Sequence, residues 1–306
     1  MKKFGKLAAL LLASAVLAGT CAVASAAEDR VLRLSILAPL TTIDPHSTVN
    51  LQDIIFHRQV FESLYHQNEK TGGFEPRIAE SYSVSDDGTV YTFKLRKGVK
   101  FHNGDLLKAS DCVFSFTRAQ GTPQMRTHLL GVKKIYAPDD ATVVFELEYP
   151  NAGFMSALKN VAVISERECK EQGDKFGTLL TLAGTGPYYL TSLQHDVEWT
   201  CNAFADYYRG EAPIKKLNYK PISQASAGLI AFESGELDWY IAPIANWDDL
   251  TDNPDYNTEL VPANHISFLV INPLKKPLDD ENLRKAMAYC VDKEAMNMAC
   301  YDGYAQ

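Results

Sequence analysis

The clearest pattern of apolar and polar positions lies in the first half of the chain. Apolar and polar side chains alternate over residues 91–96, which predicts a strand with one buried face. Asp87-Gly88 precedes this strand, and because glycine tolerates the positive φ of a tight turn, residues 82–84 are predicted to pair with it as a hairpin. Asn103-Gly104 marks a second turn, and apolar residues at helical spacing then predict a helix over residues 109–118.

The rest of the chain alternates predicted strands with predicted helices. Strands are predicted at residues 31–37, 142–147 and 266–271, and the last is apolar throughout, as in a strand buried on both faces. Helices are predicted over residues 51–65, after Ser165 in a capping box with Glu168, before Gly235, after the acidic pair 279–280, and after Asp292. This alternation indicates an α/β protein with a mixed or parallel sheet.

The first 26 residues have the composition of an export signal. Three lysines precede an apolar run over residues 7–18, and Ala24-Ser25-Ala26 supplies the small residues at which signal peptidase cuts. The run is too short to span a bilayer stably. A lipid anchor at Cys21 is the competing interpretation, but Thr20 interrupts the Leu-Ala-Gly-Cys pattern that it needs. We therefore expect cleavage after Ala26 and a periplasmic protein, with a lipid-anchored form less favoured.

Charge disfavours one class of partner. Removal of residues 1–26, which carry three lysines and no acidic residue, leaves 27 basic and 38 acidic residues, so the net charge changes from −8 to −11. A chain this acidic, without a basic stripe, is unsuited to nucleic acid. Five cysteines remain, an odd number without a Cys-x-x-Cys pair, and small buried residues are the simplest interpretation for most of them.

The sequence contains no motif for catalysis or metal binding. The seven histidines stand singly, without the His-x-x-x-His spacing that places two ligands on one helix face. His102, at a turn, is interpreted as a surface residue. No Gly-x-Ser-x-Gly elbow is present, and the acidic pairs at 86–87, 139–140 and 279–280 are interpreted as turns or caps. We expect no enzyme activity, no cofactor and no metal.

A longer match includes the predicted hairpin and the helix after it. From Ala79 the chain reads Ala-Glu-Ser, a Ser-Asp-Asp-Gly turn, and then Tyr-Thr-Phe-Lys-Leu-Arg-Lys-Gly-Val-Lys-Phe-His-Asn-Gly. Further matching stretches are Phe61-Glu62-Ser63-Leu64, Gly184-Thr185-Gly186-Pro187-Tyr188 and residues 272–287. The chain thereby resembles the extracellular solute-binding proteins of the peptide/nickel class, which deliver oligopeptides to ABC importers. The resemblance implies an α/β, periplasmic-binding-protein-like two-lobe fold of type II, incomplete at the C-terminus.

Two departures from the family pattern stand out. Asn103 replaces the usual aspartate, which is neutral for the turn. Lys108-Ala109-Ser110-Asp111 replaces Thr-Ala-Glu-Asp at the helix start. Loss of a threonine N-cap costs about 1 kcal/mol, unless Ser110 or Asp111 caps the helix instead.

The resemblance also implies where a ligand would lie. In the family, the segment that leaves the first strand lines the cleft between the lobes, and its backbone lies beside the bound peptide. A plain strand-to-loop exit fixed by prolines explains the same residues. Tyr65 could face the cleft, although an aromatic residue at a helix end is more often part of the core. The candidate ligand-binding residues are Leu37, Ala38, Pro39, Leu40, Thr41 and Tyr65. The candidate hinge residues are Thr185, Gly186, Ile271 and Asn272.

The implied organisation is discontinuous. The signal peptide occupies residues 1–26, lobe I residues 27–50 and 183–266, an inserted second lobe residues 51–182, and the start of a third region residues 267–306. The implied function is capture of extended oligopeptides between two lobes in the periplasm. The implied partners are a peptide and a membrane-embedded ABC permease with cytoplasmic ATPases, and the protein is expected to be a monomer.

Two alternatives stay open. The chain can be a non-functional fragment of such a protein, or a family member specific for nickel, haem or another solute, since fold does not fix the ligand. In the family, the charged groups that hold the ends of the ligand lie in the third region, of which this chain is expected to carry only the start. We therefore expect the chain alone to bind peptide weakly or not at all.

Overall fold

The computed structural model describes residues 30–68, 71–261 and 268–305, so the predicted signal peptide lies outside the described residues. The strands are β1 (Val31–Ile36), β2 (Tyr65–Gln67), β3 (Phe74–Pro76), β4 (Ala79–Val84), β5 (Val90–Leu95), β6 (Val132–Asp139), β7 (Thr142–Leu147), β8 (Tyr188–Gln194), β9 (Glu198–Ala203) and β10 (Lys216–Pro221). The helices are α1 (Leu51–Val60), α2 (Ala109–Gly121), α3 (Phe154–Leu158), α4 (Glu166–Gln172), α5 (Ala225–Glu233), α6 (Trp247–Thr251), α7 (Glu281–Tyr289) and α8 (Lys293–Tyr301). None of the helices within the described ranges combines the length and the apolarity needed to cross a membrane. The chain divides into two units, Met1–Tyr240 and Ile241–Gln306.

A mixed four-stranded sheet in the first unit has the strand order β1-β10-β9-β8. β1 runs parallel to β10, with Val31 opposite Lys216, whereas the other pairs are antiparallel. On the other side of β1, Leu34 forms an isolated parallel bridge with Trp239. The predicted mixed sheet is therefore confirmed.

A second four-stranded sheet in the same unit, of order β4-β5-β7-β6, is antiparallel throughout. β4 and β5 form the predicted hairpin. Gly88 has a φ of +71°, which residues with a β-carbon rarely adopt, and Asp87 accepts the hydrogen bonds that close the turn. The predicted alternation in β5 is confirmed, because Tyr91, Phe93 and Leu95 are all buried.

Each sheet has its own hydrophobic core. The antiparallel-sheet core contains buried residues from Leu64 to Val163. The mixed-sheet core contains buried residues from Ile36 to Phe61 and from Ile164 to Tyr219, so it includes helix α1. The chain thus passes from one core to the other near residue 62 and returns at residue 163, not at the predicted lobe boundaries of 51 and 182. The assignment of lobes remains a prediction.

Helix α1 ends at Val60, before the predicted end at Tyr65. The Val60 carbonyl accepts a hydrogen bond from the Gly186 N–H at 2.9 Å, and Glu62 forms an antiparallel bridge with Val163. The Phe61 N–H still donates to the His57 carbonyl at 2.7 Å, but from Glu62 onward distant parts of the chain supply the hydrogen-bond partners, and the helix ends for that reason. The helix prediction is wrong for residues 61–65.

Side chains contribute hydrogen bonds at the starts of helices α2 and α4. At α2, Asp111 accepts a hydrogen bond from the Lys108 N–H at 3.0 Å, which is the reverse half of a capping box, whereas Lys108 at the N-cap does not replace the bond of a threonine hydroxyl. At α4, Ser165 accepts a hydrogen bond from the Glu168 N–H at 3.2 Å, as predicted. The Glu168 carboxylate accepts the Leu182 N–H at 2.7 Å instead of reaching back to Ser165.

The second unit contains helices α6, α7 and α8. Asp280 and Asp292 accept backbone N–H groups in the first turns of α7 and α8, as predicted. Residues 268–271, the described part of the predicted strand at 266–271, are not in a strand, and Phe268 is 76% exposed. The strand prediction is wrong for these residues, because no neighbouring strand within the described ranges pairs with them.

Candidate functional site

Residues 37–41, for which the family resemblance implies ligand contact, leave the mixed sheet at the carboxyl end of β1. At this edge the Ile36 carbonyl accepts a hydrogen bond from the Ile222 N–H, just after β10, at 2.7 Å. Ligand crevices in α/β sheets usually lie at the carboxyl ends of parallel strands. The Leu37 side chain is 49% exposed, and nothing within the described residues accepts a hydrogen bond from the Ala38 N–H. The edge therefore presents an apolar side chain and a backbone donor.

Helix α1 holds this segment from one side. Gln52 Oε1 accepts a hydrogen bond from the Leu37 N–H at 3.1 Å. Asp53, which is fully buried, accepts the Thr41 N–H at 2.8 Å and also the Thr41 hydroxyl, and the Thr48 hydroxyl donates to it at 2.9 Å. The two ends of the segment are therefore fixed to one helix.

The end of the segment and the loop that follows it contact both cores. Leu40 and Ile43 are buried in the mixed-sheet core. Asp44 accepts two hydrogen bonds from the Arg118 guanidinium of α2, at 3.0 Å from Nη1 and 2.5 Å from Nη2. The same guanidinium lies 5.3 Å from the centre of the Phe176 ring. The loop is thus anchored at its base to a helix of the antiparallel-sheet core.

Tyr65 lies in the antiparallel-sheet core and is only 5% exposed. Its ring centroid lies 5.2 Å from that of Tyr82 and 6.0 Å from that of Phe93, at angles typical of aromatic packing. The segment 37–41 belongs to the other core, so the structure does not bring Tyr65 together with it. A ligand role for Tyr65 remains a prediction that no contact supports.

The candidate hinge residues Thr185 and Gly186 lie where the chain crosses helix α1. Thr185 is fully buried. A β-carbon added to Gly186 would lie 2.5 Å from the Gln59 carbonyl oxygen, and one added to Gly184 would lie 2.1 Å from that of Val60. The glycines thus permit the close backbone approach expected at this crossing. A hinge role for Thr185 and Gly186 remains a prediction.

His102 packs against this crossing and is partly buried. Its backbone N–H donates to the Gly184 carbonyl at 2.9 Å, and its ring Nε2 lies 2.9 Å from the Gly186 carbonyl oxygen. Burial lowers the pKa of His102 to about 4, so the ring is neutral at pH 7. The surface interpretation is wrong, because the turn that carries His102 folds against a distant part of the chain.

A buried carboxyl group at the same crossing is absent from the sequence predictions. Glu62 Oε1 accepts hydrogen bonds from the hydroxyl groups of Tyr207 at 2.8 Å and Tyr208 at 3.1 Å, and Oε2 accepts one from Thr185 at 3.4 Å. Burial raises the pKa of Glu62 to about 7, since it disfavours the charged form more than the hydroxyl donors favour it. The only local signal was a charged residue inside the apolar stretch Phe61-Glu62-Ser63-Leu64.

The other two candidate hinge residues lie in the second unit. Asn272 Oδ1 accepts a hydrogen bond from the Leu274 N–H at 2.9 Å, which makes a local turn. Ile271 is partly exposed. A hinge role for Ile271 and Asn272 also remains a prediction.

Candidate metal ligands do not cluster in the part of the chain that the structure describes, where no three His, Cys, Asp or Glu residues lie close enough to hold an ion. Burial lowers the pKa of both His46 and His57 to about 4. The interpretation of cysteines as small buried residues is confirmed for the free thiols of Cys112, Cys169 and Cys201. The free thiols of Cys290 and Cys300 are exposed, so the interpretation holds for three of the five cysteines.

Many known proteins are similar in sequence to the chain, and two of them illustrate the range. The dipeptide-binding protein of Escherichia coli is 31% identical over 256 residues, which are 74% of this chain and 48% of that protein. Heme-binding protein A of Haemophilus influenzae is 28% identical over 273 residues, which are 80% of this chain and 50% of that protein. The chain therefore spans about half the length of these relatives.

A solved structure shows the same fold. A dipeptide-binding protein from a Pseudoalteromonas species, in complex with Met-Leu, superposes with a TM-score of 0.82 at 24% identity, over 89% of this chain and 59% of that one. The fold is thus the α/β fold of type II periplasmic binding proteins, of which the chain carries a part.

A family model settles the relationship. The model of the bacterial extracellular solute-binding proteins, family 5, middle part, matches residues 73–306. This match includes the hairpin of β4 and β5, helix α2 and the glycine crossing at residues 184–186. Because it covers more than half of the chain, the protein belongs to the bacterial extracellular solute-binding proteins of family 5.

Proposed function

We propose that the chain is the substrate-binding component of a peptide ABC importer. In this proposal the protein has no enzyme activity. The protein acts as a monomer in the periplasm, where it captures an extended oligopeptide and delivers this ligand to a membrane-embedded permease with cytoplasmic ATPases. The observation that carries the proposal is the edge after β1, where Leu37 is exposed and the Ala38 N–H has no acceptor among the described residues.

The geometry of this edge suits a peptide main chain. An extended peptide binds to protein backbone by adding hydrogen bonds of the kind that join two strands. The Ala38 N–H is a donor of that kind, and Leu37 supplies an apolar contact for a side chain beside it. The similarity to a dipeptide-binding protein of Escherichia coli supports the same ligand class.

Ligand capture in the proposal works through a shift between two states. A ligand that contacts both walls of a cleft favours the closed state by the difference in its affinity for the closed and open states. Residues 37–41 would form part of one wall. Since the chain spans about half the length of its relatives, we expect the isolated chain to hold a peptide weakly, with a dissociation constant of roughly a millimolar.

A nuclear magnetic resonance titration of residues 27–306 with Met-Leu tests the proposal. We expect chemical-shift changes at the amides of residues 37–41, weakened about fivefold by Leu37→Ser, because that change removes apolar contact area. Leu130→Ser is the matched control, since Leu130 is also exposed but lies outside the edge after β1. Absence of shift changes at residues 37–41 at saturating peptide would contradict the proposal.

Haem is the second candidate ligand, and the similarity to heme-binding protein A favours it. The same titration with haem in place of peptide separates the two. Stronger changes with haem than with Met-Leu would replace the peptide proposal by the haem proposal.

A further inference from the structure

We propose that Asp53 is the positioning residue of the ligand-contacting segment, residues 37–41. The inference rests on the proposed function, because only that function gives this segment a ligand. Asp53 is fully buried, so it acts on a ligand through the segment and not by contact.

The hydrogen bonds of Asp53 all come from the loop that it positions. Its two carboxylate oxygens accept three donors, namely the Thr41 N–H at 2.8 Å, the Thr41 hydroxyl, and the Thr48 hydroxyl at 2.9 Å. Among the described residues, no lysine or arginine forms an ion pair with it. Neutral donors of one loop therefore satisfy this buried carboxylate.

The place of Asp53 in α1 explains how a carboxylate without a cation is tolerated. Asp53 lies in the first turn of α1, where the backbone N–H groups favour a negative charge. A buried carboxylate that loses its donors is costly. Movement of Thr41 away from Asp53 would leave the buried carboxylate with fewer hydrogen-bond donors, which costs free energy. The carboxylate therefore confines Thr41 to one position.

Two neighbours on α1 extend the same contact along the loop. Gln52 Oε1 accepts the Leu37 N–H at 3.1 Å, at the start of the segment. His57 Nε2 lies 3.1 Å from the Thr42 carbonyl oxygen, just after its end. With Asp53 between them, the segment is held in place before a ligand arrives, and preorganisation of this kind raises affinity because less conformational freedom is lost on binding.

Substitution of Asp53 by asparagine tests the inference. Asparagine keeps the shape but replaces one carboxylate oxygen by an amide NH2 group, so charge-assisted hydrogen bonds from Thr41 and Thr48 give way to weaker neutral ones. We expect hydrogen exchange of the Thr41 amide to accelerate roughly tenfold or more, and the affinity for Met-Leu to fall by about the same factor. Gln52→Ala should accelerate exchange of the Leu37 amide without unfolding the chain, because Gln52 is not fully buried.

Asp111→Asn is the matched control. Asp111 also accepts backbone N–H groups, from Lys108 and Glu166 at 3.0 Å, but it lies at the start of α2, a helix of the antiparallel-sheet core. The Asp111→Asn variant should leave hydrogen exchange of the Thr41 amide and the affinity for Met-Leu unchanged. Wild-type exchange in Asp53→Asn, or equal acceleration in Asp111→Asn, would overturn the inference. If the wild-type chain binds no peptide, the proposed function fails, whereas the exchange comparison still decides whether Asp53 positions the segment.

Discussion

Arg118 and Asp44 form a two-pronged ion pair that joins helix α2 to the loop after β1, with Nη2 and Oδ2 2.5 Å apart. The Asp44 side chain is only 7% exposed, so removal of Arg118 leaves a buried carboxylate without its cation. We expect Arg118→Met to lower the free energy of unfolding by about 3 kcal/mol, as measured by urea denaturation. The control is Lys170→Met, which breaks the exposed pair with Glu166 and should cost less than about 1 kcal/mol. Equal losses of unfolding free energy in the two variants would contradict a larger stabilising role for the buried ion pair.

Glu62 should make stability fall as pH rises. Its pKa is about 7 in the folded chain and near its ordinary value of 4.5 when unfolded, so the folded state binds the proton more tightly between these values. The free energy of unfolding of Glu62→Gln, relative to that of wild type, should therefore rise by roughly 2–3 kcal/mol as the pH is raised from 5 to 8. Urea denaturation at both pH values measures this change. Glu80→Gln, at an exposed position in β4, should show no such trend.

His57 should act in the opposite direction. Its pKa is about 4 in the folded chain and 6.5 when unfolded, so the unfolded state binds more protons in this range, and stability is lost as pH falls from 6.5 to 4. His57→Gln removes the titration and keeps a donor for the Thr42 carbonyl. The free energy of unfolding of His57→Gln, relative to that of wild type, should rise by about 2 kcal/mol as the pH is lowered from 7 to 5, as measured by urea denaturation. The exposed His195, replaced by glutamine, serves as control, and an equal gain there would contradict the assignment to burial.

Gly184 should not tolerate a side chain. An added β-carbon would lie 2.1 Å from the Val60 carbonyl oxygen, and backbone at such a crossing cannot move aside cheaply. We expect Gly184→Ala to cost at least roughly 2 kcal/mol in a thermal or urea unfolding experiment. Gly121→Ala, in a helix with open space around the added carbon, should be neutral or stabilising by about 0.5–1 kcal/mol. Similar stability of Gly184→Ala and wild type would mean that the crossing is loosely packed.

The features that the sequence predicted well depend on neighbours in the chain. The hairpin needs only the alternation in β5 and the conformation of Gly88, and the hydrogen bond that satisfies the Lys108 N–H at the start of α2 needs only Asp111, three residues away. Such signals lie within a few positions of the element that they determine, and one sequence is enough to see them. The exit of the chain from β1 at residues 37–41 was also predictable, because Pro39 and Pro45 lack the backbone N–H that a strand needs.

The features that were missed depend on residues far apart in the chain. Glu62 meets Tyr207 across 145 positions, and nothing near Glu62 indicates two tyrosine partners. The end of α1 at Val60 and the partial burial of His102 have the same origin, because the segment containing Gly186 contacts both. Within the candidate site, the sequence indicated the segment but not Asp53, whose role depends on the loop folding back onto the helix.

The pairing of β1 with β10 also has a consequence for the order of folding. Val31 pairs with Lys216, whereas the strands of the antiparallel sheet all lie between residues 79 and 147. Contacts between distant residues close long loops, and they form more slowly than local ones. We expect the antiparallel sheet to fold first, while β1 waits for its partner. The edge proposed to receive the ligand would then be among the last parts of the first unit to form.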